Sequence, residues 1–188
     1  NTVFGYLAGN VIDSGSVKNV FVGHHVGSGA NIADAIGNVL IGVNVGRNIY
    51  GADNNVSIGL DSGRNLTDGT YNVFLGSRAG HGVTDRSNNI YIGYKSGELL
   101  NGAGNNVAIG YQSMFSSGTA GNNAAADNVA VGYQTLLAIT DGTNNVAVGA
   151  SSLDAITTGT NNVAIGYNAL TAGNSGESHH VAIGSSAL

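Results

Sequence analysis

The chain has no cysteine, no proline and no tryptophan, and only 9% of its 188 residues are charged. Without cysteine there can be no disulfide, no thiolate metal site and no cysteine nucleophile. That absence suits an oxidising and a reducing compartment equally. No apolar run approaches the roughly 18 residues of a membrane-spanning helix. The net charge of −5 argues against nucleic-acid binding, which takes a basic stripe. There is neither an initiating Met nor a signal peptide, and both ends fall inside the pattern described next. The sequence reads as a piece of something longer.

What is present is order. The 31 glycines and the apolar residues recur at fixed places, which argues against disorder despite the low-complexity composition. Eleven units read Asn-Val-x-Ile/Val/Leu-Gly and close on Gly5, Gly23, Gly42, Gly59, Gly76, Gly93, Gly110, Gly132, Gly149, Gly166 and Gly184. The spacing is 17 residues in six of the ten intervals and 18, 19, 22 and 18 in the others. A near-constant short period means one supersecondary unit per repeat, stable only against its neighbours. Residues 1–188 are therefore a single array.

With the closing glycine as position 0, positions −3 and −1 are almost all Val, Ile or Leu, as in Val56/Ile58 and Val163/Ile165. This alternation of β-branched residues predicts a short strand with those side chains inward. Position +3 is mostly small, and an apolar residue recurs at +7 (Ile12, Ile49, Leu66, Val83, Leu100, Ile139, Ile156). Polar turns such as Thr67-Asp68-Gly69-Thr70 then return the chain. Each repeat is expected to make one coil of two short strands and two turns. Parallel stacking at roughly 4.8 Å gives a rod about 50 Å long.

Position −4 is Asn in ten units, among them Asn55, Asn72, Asn89, Asn106, Asn128, Asn145 and Asn162. One Asn per coil predicts an amide ladder of structural value. Position −2 holds Phe21, Leu40, Ser57, Phe74, Tyr91, Ala108, Ala130, Ala147, Ala164 and Ala182 after Val3. If −3 and −1 fill the interior, this second apolar row faces outward and needs another chain to cover it, which predicts a trimer core along it. Residues 1–104 pair Gly at +4 with mostly bulky −2 residues, whereas 105–188 pair Leu or Met at +4 with Ala at −2. Such compensation conserves a shared volume, within or between chains. An insertion over 117–127 follows the switch.

The segments Asn-Asn-Val-Ala-Ile-Gly-Tyr-x-x-Leu/Met at 105–114 and 161–170 resemble the head repeats of trimeric autotransporter adhesins. They are similar also to the longer-period repeats of phage tail fibres and related bacterial surface fibres. The resemblance covers essentially the whole chain. It implies a left-handed parallel β-roll, assembled as a trimer, that displays or forms an adhesive fibre. The 17-residue period and the bulky −2 residues of the first half depart from the adhesin pattern.

No catalytic constellation stands out. His24-His25, His81 and His179-His180 are not chelating pairs, since neighbours on a strand face opposite ways. The turn aspartates are suited to bonding the backbone, and they lack the dense spacing of calcium-binding coils. The +1 tyrosines Tyr94, Tyr111 and Tyr133 offer either sugar stacking or ring-on-ring stacking over the turn glycine. At +5, Arg47 and Arg64 on adjacent coils suit an anionic group of a glycan, or form a solvated edge. At +2, Asp61, Arg78 and Lys95 read as surface pairs. The insertion is placed for recognition but has no aromatic or Arg anchor.

The expectation is an all-β parallel β-solenoid of about eleven coils, assembled as a parallel homotrimer without metal or cofactor. Its function would be non-enzymatic: a segment of an extracellular fibre attaching to a glycan or envelope component of a cell surface. The alternative is a fibre-borne polysaccharide hydrolase with two cooperating carboxylates. A monomeric ice-binding solenoid would need a regular outward Thr row, and threonine here clusters in only some turns.

Overall fold

The computed structural model describes residues 1–29, 32–102, 104–116, 123–171 and 176–188. It is an all-β parallel solenoid of about ten turns, with no helix among the described residues. Each coil contributes one strand: β1 Thr2–Phe4, β2 Val20–His24, β3 Val39–Val43, β4 Val56–Leu60, β5 Val73–Leu75, β6 Ile90–Ile92, β7 Val107–Ile109, β8 Val129–Val131, β9 Val146–Val148, β10 Val163–Ile165 and β11 Val181–Ile183. They form one 11-stranded sheet in sequence order. Equivalent repeat positions pair throughout, for example Phe74 with Tyr91 and Ala147 with Ala164.

The strands are short because left-handed residues bracket them. Position −5 has positive φ before each of β2 to β11 (Asn54, 56°; Asn105, 59°), and position +2 has positive φ after the strand, at 51–60° in every coil. Position +4 is left-handed as well, as at Gly80 (59°) and Leu153 (53°). This corrects the expected second strand. The +7 arm is inside, with Ile49, Leu66, Val83, Leu100, Ile139 and Ile156 buried, but it is built of turns. Its backbone groups still bond from coil to coil, as in Gly63 N to Ala79 O (2.9 Å) and Gly80 N to Ser96 O (2.9 Å).

The closing glycine is required twice over. Its φ lies between 124° and 146° in every strand-pairing coil, a region that side chains resist. A Cβ on Gly76 would also stand 2.5 Å from the carbonyl oxygen of Gly93, the same position one coil on.

The largest correction concerns which face is inward. The −2 residues Phe21, Leu40, Phe74, Tyr91, Ala108, Ala130, Ala147, Ala164 and Ala182, assigned above to a trimer core, are buried inside their own coil. None of the −3 and −1 residues is buried, and Ile109 and Ile165 keep 36% and 39% of their surface exposed. The period of two explains it: −2 shares a face with the −4 asparagines, and those amides find their partners inside. The interior is thus filled by −2 and +7 from opposite walls, with +3 and +4 between them. The −2 and +4 rows do share a volume, and they share it within one chain. A Cβ on Gly46 would lie 2.7 Å from Leu40 Cδ1, and one on Gly63 would lie 2.9 Å from Phe74 Cδ2.

Candidate functional site

The asparagine row runs unbroken through the interior. Asn72 shows the pattern: its Nδ2 donates to Asn55 Oδ1 (3.0 Å) and to the Arg86 carbonyl (2.9 Å). Its Oδ1 accepts from Asn89 N (3.0 Å) and Asn89 Nδ2 (3.1 Å). The same bonds link Asn106, Asn128, Asn145 and Asn162, ending where His180 N donates to Asn162 Oδ1 (3.0 Å). Buried on all sides, these amides face no ligand. Tyr91, fully buried and stacked on Phe74 at 5.5 Å, donates its hydroxyl to Asn89 Oδ1 (3.1 Å). Burial pushes that phenol well above its ordinary range, opposed in part by the ladder amides. Serines at +3 are satisfied similarly: Ser96 Oγ donates to the Ala108 carbonyl (2.8 Å).

Outside, the −3 and −1 columns form a strip eleven strands long. Of its 22 positions only Thr2 is polar and none is charged. The strip is roughly 50 Å by 10 Å. That area, about 500 Å², matches the largest apolar patch a typical monomer shows.

Beside the strip, at the corner after each closing glycine, stands the +1 column. Tyr94, Tyr111 and Tyr133 stack on one another at 5.3 Å and 5.2 Å, the second pair nearly parallel at 8°. The faces between the three rings are therefore occupied by each other, and only the outer faces of Tyr94 and Tyr133 remain unstacked on another tyrosine. Lys95 Nζ lies 5.6 Å from the Tyr94 ring centroid and 5.4 Å from that of Phe115. Near the other end of the rod Tyr6 stacks on His24 at 5.2 Å.

The +2 and +5 rows carry most of the positive charge. Arg47, Arg64, Arg78 and Lys95, four of the six Lys and Arg residues, lie here over four coils with only two carboxylates, Asp61 and Glu98. Pairing runs between the two rows, not along +2. Glu98 is 2% exposed and is held by the Arg78 guanidinium and by Lys95 Nζ (3.5 Å). Its Oε2 has the lysine charge nearby yet no hydrogen bond, so the contact is coulombic. Arg64 Nε stands 3.9 Å from Asp61, a loose pair, and Asp61 also accepts from Asn44 Nδ2 (3.1 Å). No carboxylate among the described residues pairs with Arg47. Burial, then Arg78, lowers the His81 pKa, against the opposing pull of Glu98 and Asp61. Burial and the neighbouring charges of His24 and Arg47 lower that of His25. Asp154, on the +5 row of a later coil, is raised by burial.

Two features of this surface escaped the sequence reading. One is the burial of Glu98 between cations, for which the +2/+5 spacing of opposite charges on adjacent coils was the available signal. The other is the interruption of the tyrosine column by Ala150 before Tyr167. Residues 117–122 of the insertion lie outside the described residues, while Ala125 beyond them is back in the interior. Among the described residues, no three His, Asp or Glu side chains converge as metal ligands, and no helix is long and apolar enough to cross a membrane. No protein-family model, no curated protein and no solved structure matches this chain significantly.

Proposed function

We propose that the chain is a non-enzymatic segment of a trimeric extracellular fibre, on a virion or a bacterial surface, that takes part in attachment by binding a glycan or another envelope component. One observation carries this reading: the outward −3/−1 strip is continuous, apolar but for Thr2, and uncharged over all eleven strands. Water-exposed antiparallel faces are normally polar, and parallel sheets are normally covered on both sides. Three copies of the strip about one axis would give each chain two neighbours and leave no apolar face in water. The resemblance to adhesin heads and tail fibres supports the same parallel trimer and a left-handed coil.

Attachment is assigned to the flank of the rod, where Arg47 and Arg64 give a positive edge on an acidic chain. Guanidiniums on adjacent coils suit the carboxylate or phosphate groups of an envelope polysaccharide. Light scattering on the purified chain tests the assembly. A mass near three times 18.8 kDa is expected, and a mass of one chain would remove the trimer. Substituting Arg47 and Arg64 by Gln should then abolish whole-cell binding without lowering the thermal midpoint. Unchanged binding would leave the segment as a spacer.

A further inference from the structure

The stacked run of +1 tyrosines, Tyr94 to Tyr133, stops at Ala150, and one more tyrosine, Tyr167, stands on the rung after it. Strands β8, β9 and β10 pair in register through Ala130, Ala147 and Ala164, so Tyr133, Ala150 and Tyr167 stand at +1 on three successive rungs. The rungs are locked by Ser151 N donating to the Tyr133 carbonyl (2.9 Å) and Asn168 N donating to the Ala150 carbonyl (3.0 Å). Position +2 has the same left-handed backbone on all three (Gln134, 51°; Ser151, 53°; Asn168, 51°). One face of Tyr133 is taken by Tyr111, and the other looks along the rod over Ala150. Tyr133 and Tyr167 remain 53% and 59% exposed.

We propose that Tyr133, Ala150 and Tyr167 form a slot for a single pyranose ring, with the two phenol rings as walls and the alanine as floor. This rests on the surface-glycan reading above and names a site for it. Two rungs separate the walls by about 9.6 Å. With van der Waals contacts of about 4 Å on either face a puckered saturated ring takes up about 8 Å of that gap and a planar aromatic guest about 7 Å, so the slot admits one ring and not two. Polar groups stand beside the slot on its two upper rungs. The Ser151 hydroxyl and the Asn168 amide are half-buried and, among the described residues, make no side-chain hydrogen bond within the protein. Beneath the closed part of the column the equivalent Gln134 Nε2 is already engaged by Gln112 Oε1 (2.9 Å). The open rung thus combines two aromatic faces with free donors and acceptors, the pairing that sugar C–H faces and hydroxyls require.

Ala150→Tyr tests this directly, because it completes the column at an unburied position and leaves the interior untouched. The probes are β-linked hexasaccharides of glucose, galactose and N-acetylglucosamine, followed by saturation-transfer NMR and calorimetry on the whole chain. The native chain should bind one or more of them. A150Y and Tyr167→Ala should each weaken binding roughly tenfold or more, the order expected for losing aromatic stacking. Tyr94→Ala, outside the slot, should bind as the native chain does. Native binding that survives A150Y would overturn the slot while sparing the glycan reading. Absence of binding to every probe would remove the slot, and the Arg47/Arg64 reading, which concerns anionic glycans, would stand or fall by its own whole-cell test. A loss of oligomer mass in A150Y would assign the slot to a neighbouring copy instead of a sugar.

Discussion

Gly80 and Phe74 occupy one volume. A Cβ on Gly80 would lie 2.6 Å from ring atoms Cδ1 and Cε1 of Phe74, its own coil's −2 residue. In the later coils the same two positions are Leu153 and Ala147, both buried, with Leu153 holding a φ of 53°. Phe74→Ala should cost about 3–5 kcal/mol through the cavity it leaves. Gly80→Leu alone should be destabilising by overpacking. The double variant reproduces the later arrangement and should be more stable than the sum of the two predicts, with a coupling of about 1–3 kcal/mol. Urea unfolding of the four proteins decides it; additive costs would mean that the two rows do not share space.

The asparagine ladder makes a second case. Asn72→Ala strands the Asn89 backbone N–H and amide below a missing acceptor, and each buried unpaired group costs about 1–3 kcal/mol. Asn72→Asp keeps the acceptor but removes the donors to Asn55 and Arg86 and buries a charge. Its stability should improve as pH falls and the carboxyl takes up a proton, in contrast to Asn72→Ala. Parallel pH series of denaturant midpoints would show it.

Closing glycines should differ with position in the stack. Gly76→Ala meets the Gly93 carbonyl and should prevent folding of a continuous rod. The nearest atom to a Cβ on Gly184 is Ala187 Cβ at 4.0 Å, so Gly184→Ala carries only the backbone strain of its φ of 128°. That strain is of order 1–3 kcal/mol. Circular dichroism and thermal melts of the two variants check the contrast.

If the outward strip is the interface of the proposed trimer, charge on it should dissociate the trimer and leave the coil intact. Ile58→Glu, Ile109→Glu and Ile165→Glu combined are expected to shift the sedimenting species to one chain while the β-sheet spectrum is kept. A single Ala147→Glu, pointing inward, should unfold the protein. If the outward triple variant sediments as the native chain does, the strip is not the interface.

His81 should set a pH dependence. Its folded pKa is depressed below the ordinary 6.5, so the unfolded chain takes up a proton first as pH falls. Stability from this group is complete above 6.5, declines as pH drops through it, and levels once the folded histidine is protonated. His81→Gln should flatten that part of the stability profile, measured as the urea midpoint between neutral and mildly acid pH.

The sequence by itself determined the architecture. Eleven glycines at near-constant spacing dictate stacked coils, because a residue that must tolerate a positive φ and a carbonyl against its Cα can recur at fixed intervals only if the chain returns to the same place. It determined an amide ladder too, since one amide per coil has no other economical partner, but not that the ladder runs inside. The compensation of −2 against +4, Phe74 with Gly80 and Ala147 with Leu153, was legible as shared volume. What only the tertiary structure decided was which strand face is inward. Both faces are apolar, so hydropathy cannot distinguish Val56 and Ile58 from Phe74 and Tyr91. The −4 amides, which share a face with −2, find their hydrogen-bond partners on the side of the +7 arm, and that turns −2 inward. The same holds for the surface. That Tyr94, Tyr111 and Tyr133 close on each other depends on ring spacing along the rod, and stacking distance is a property of the assembled coil, not of a repeat.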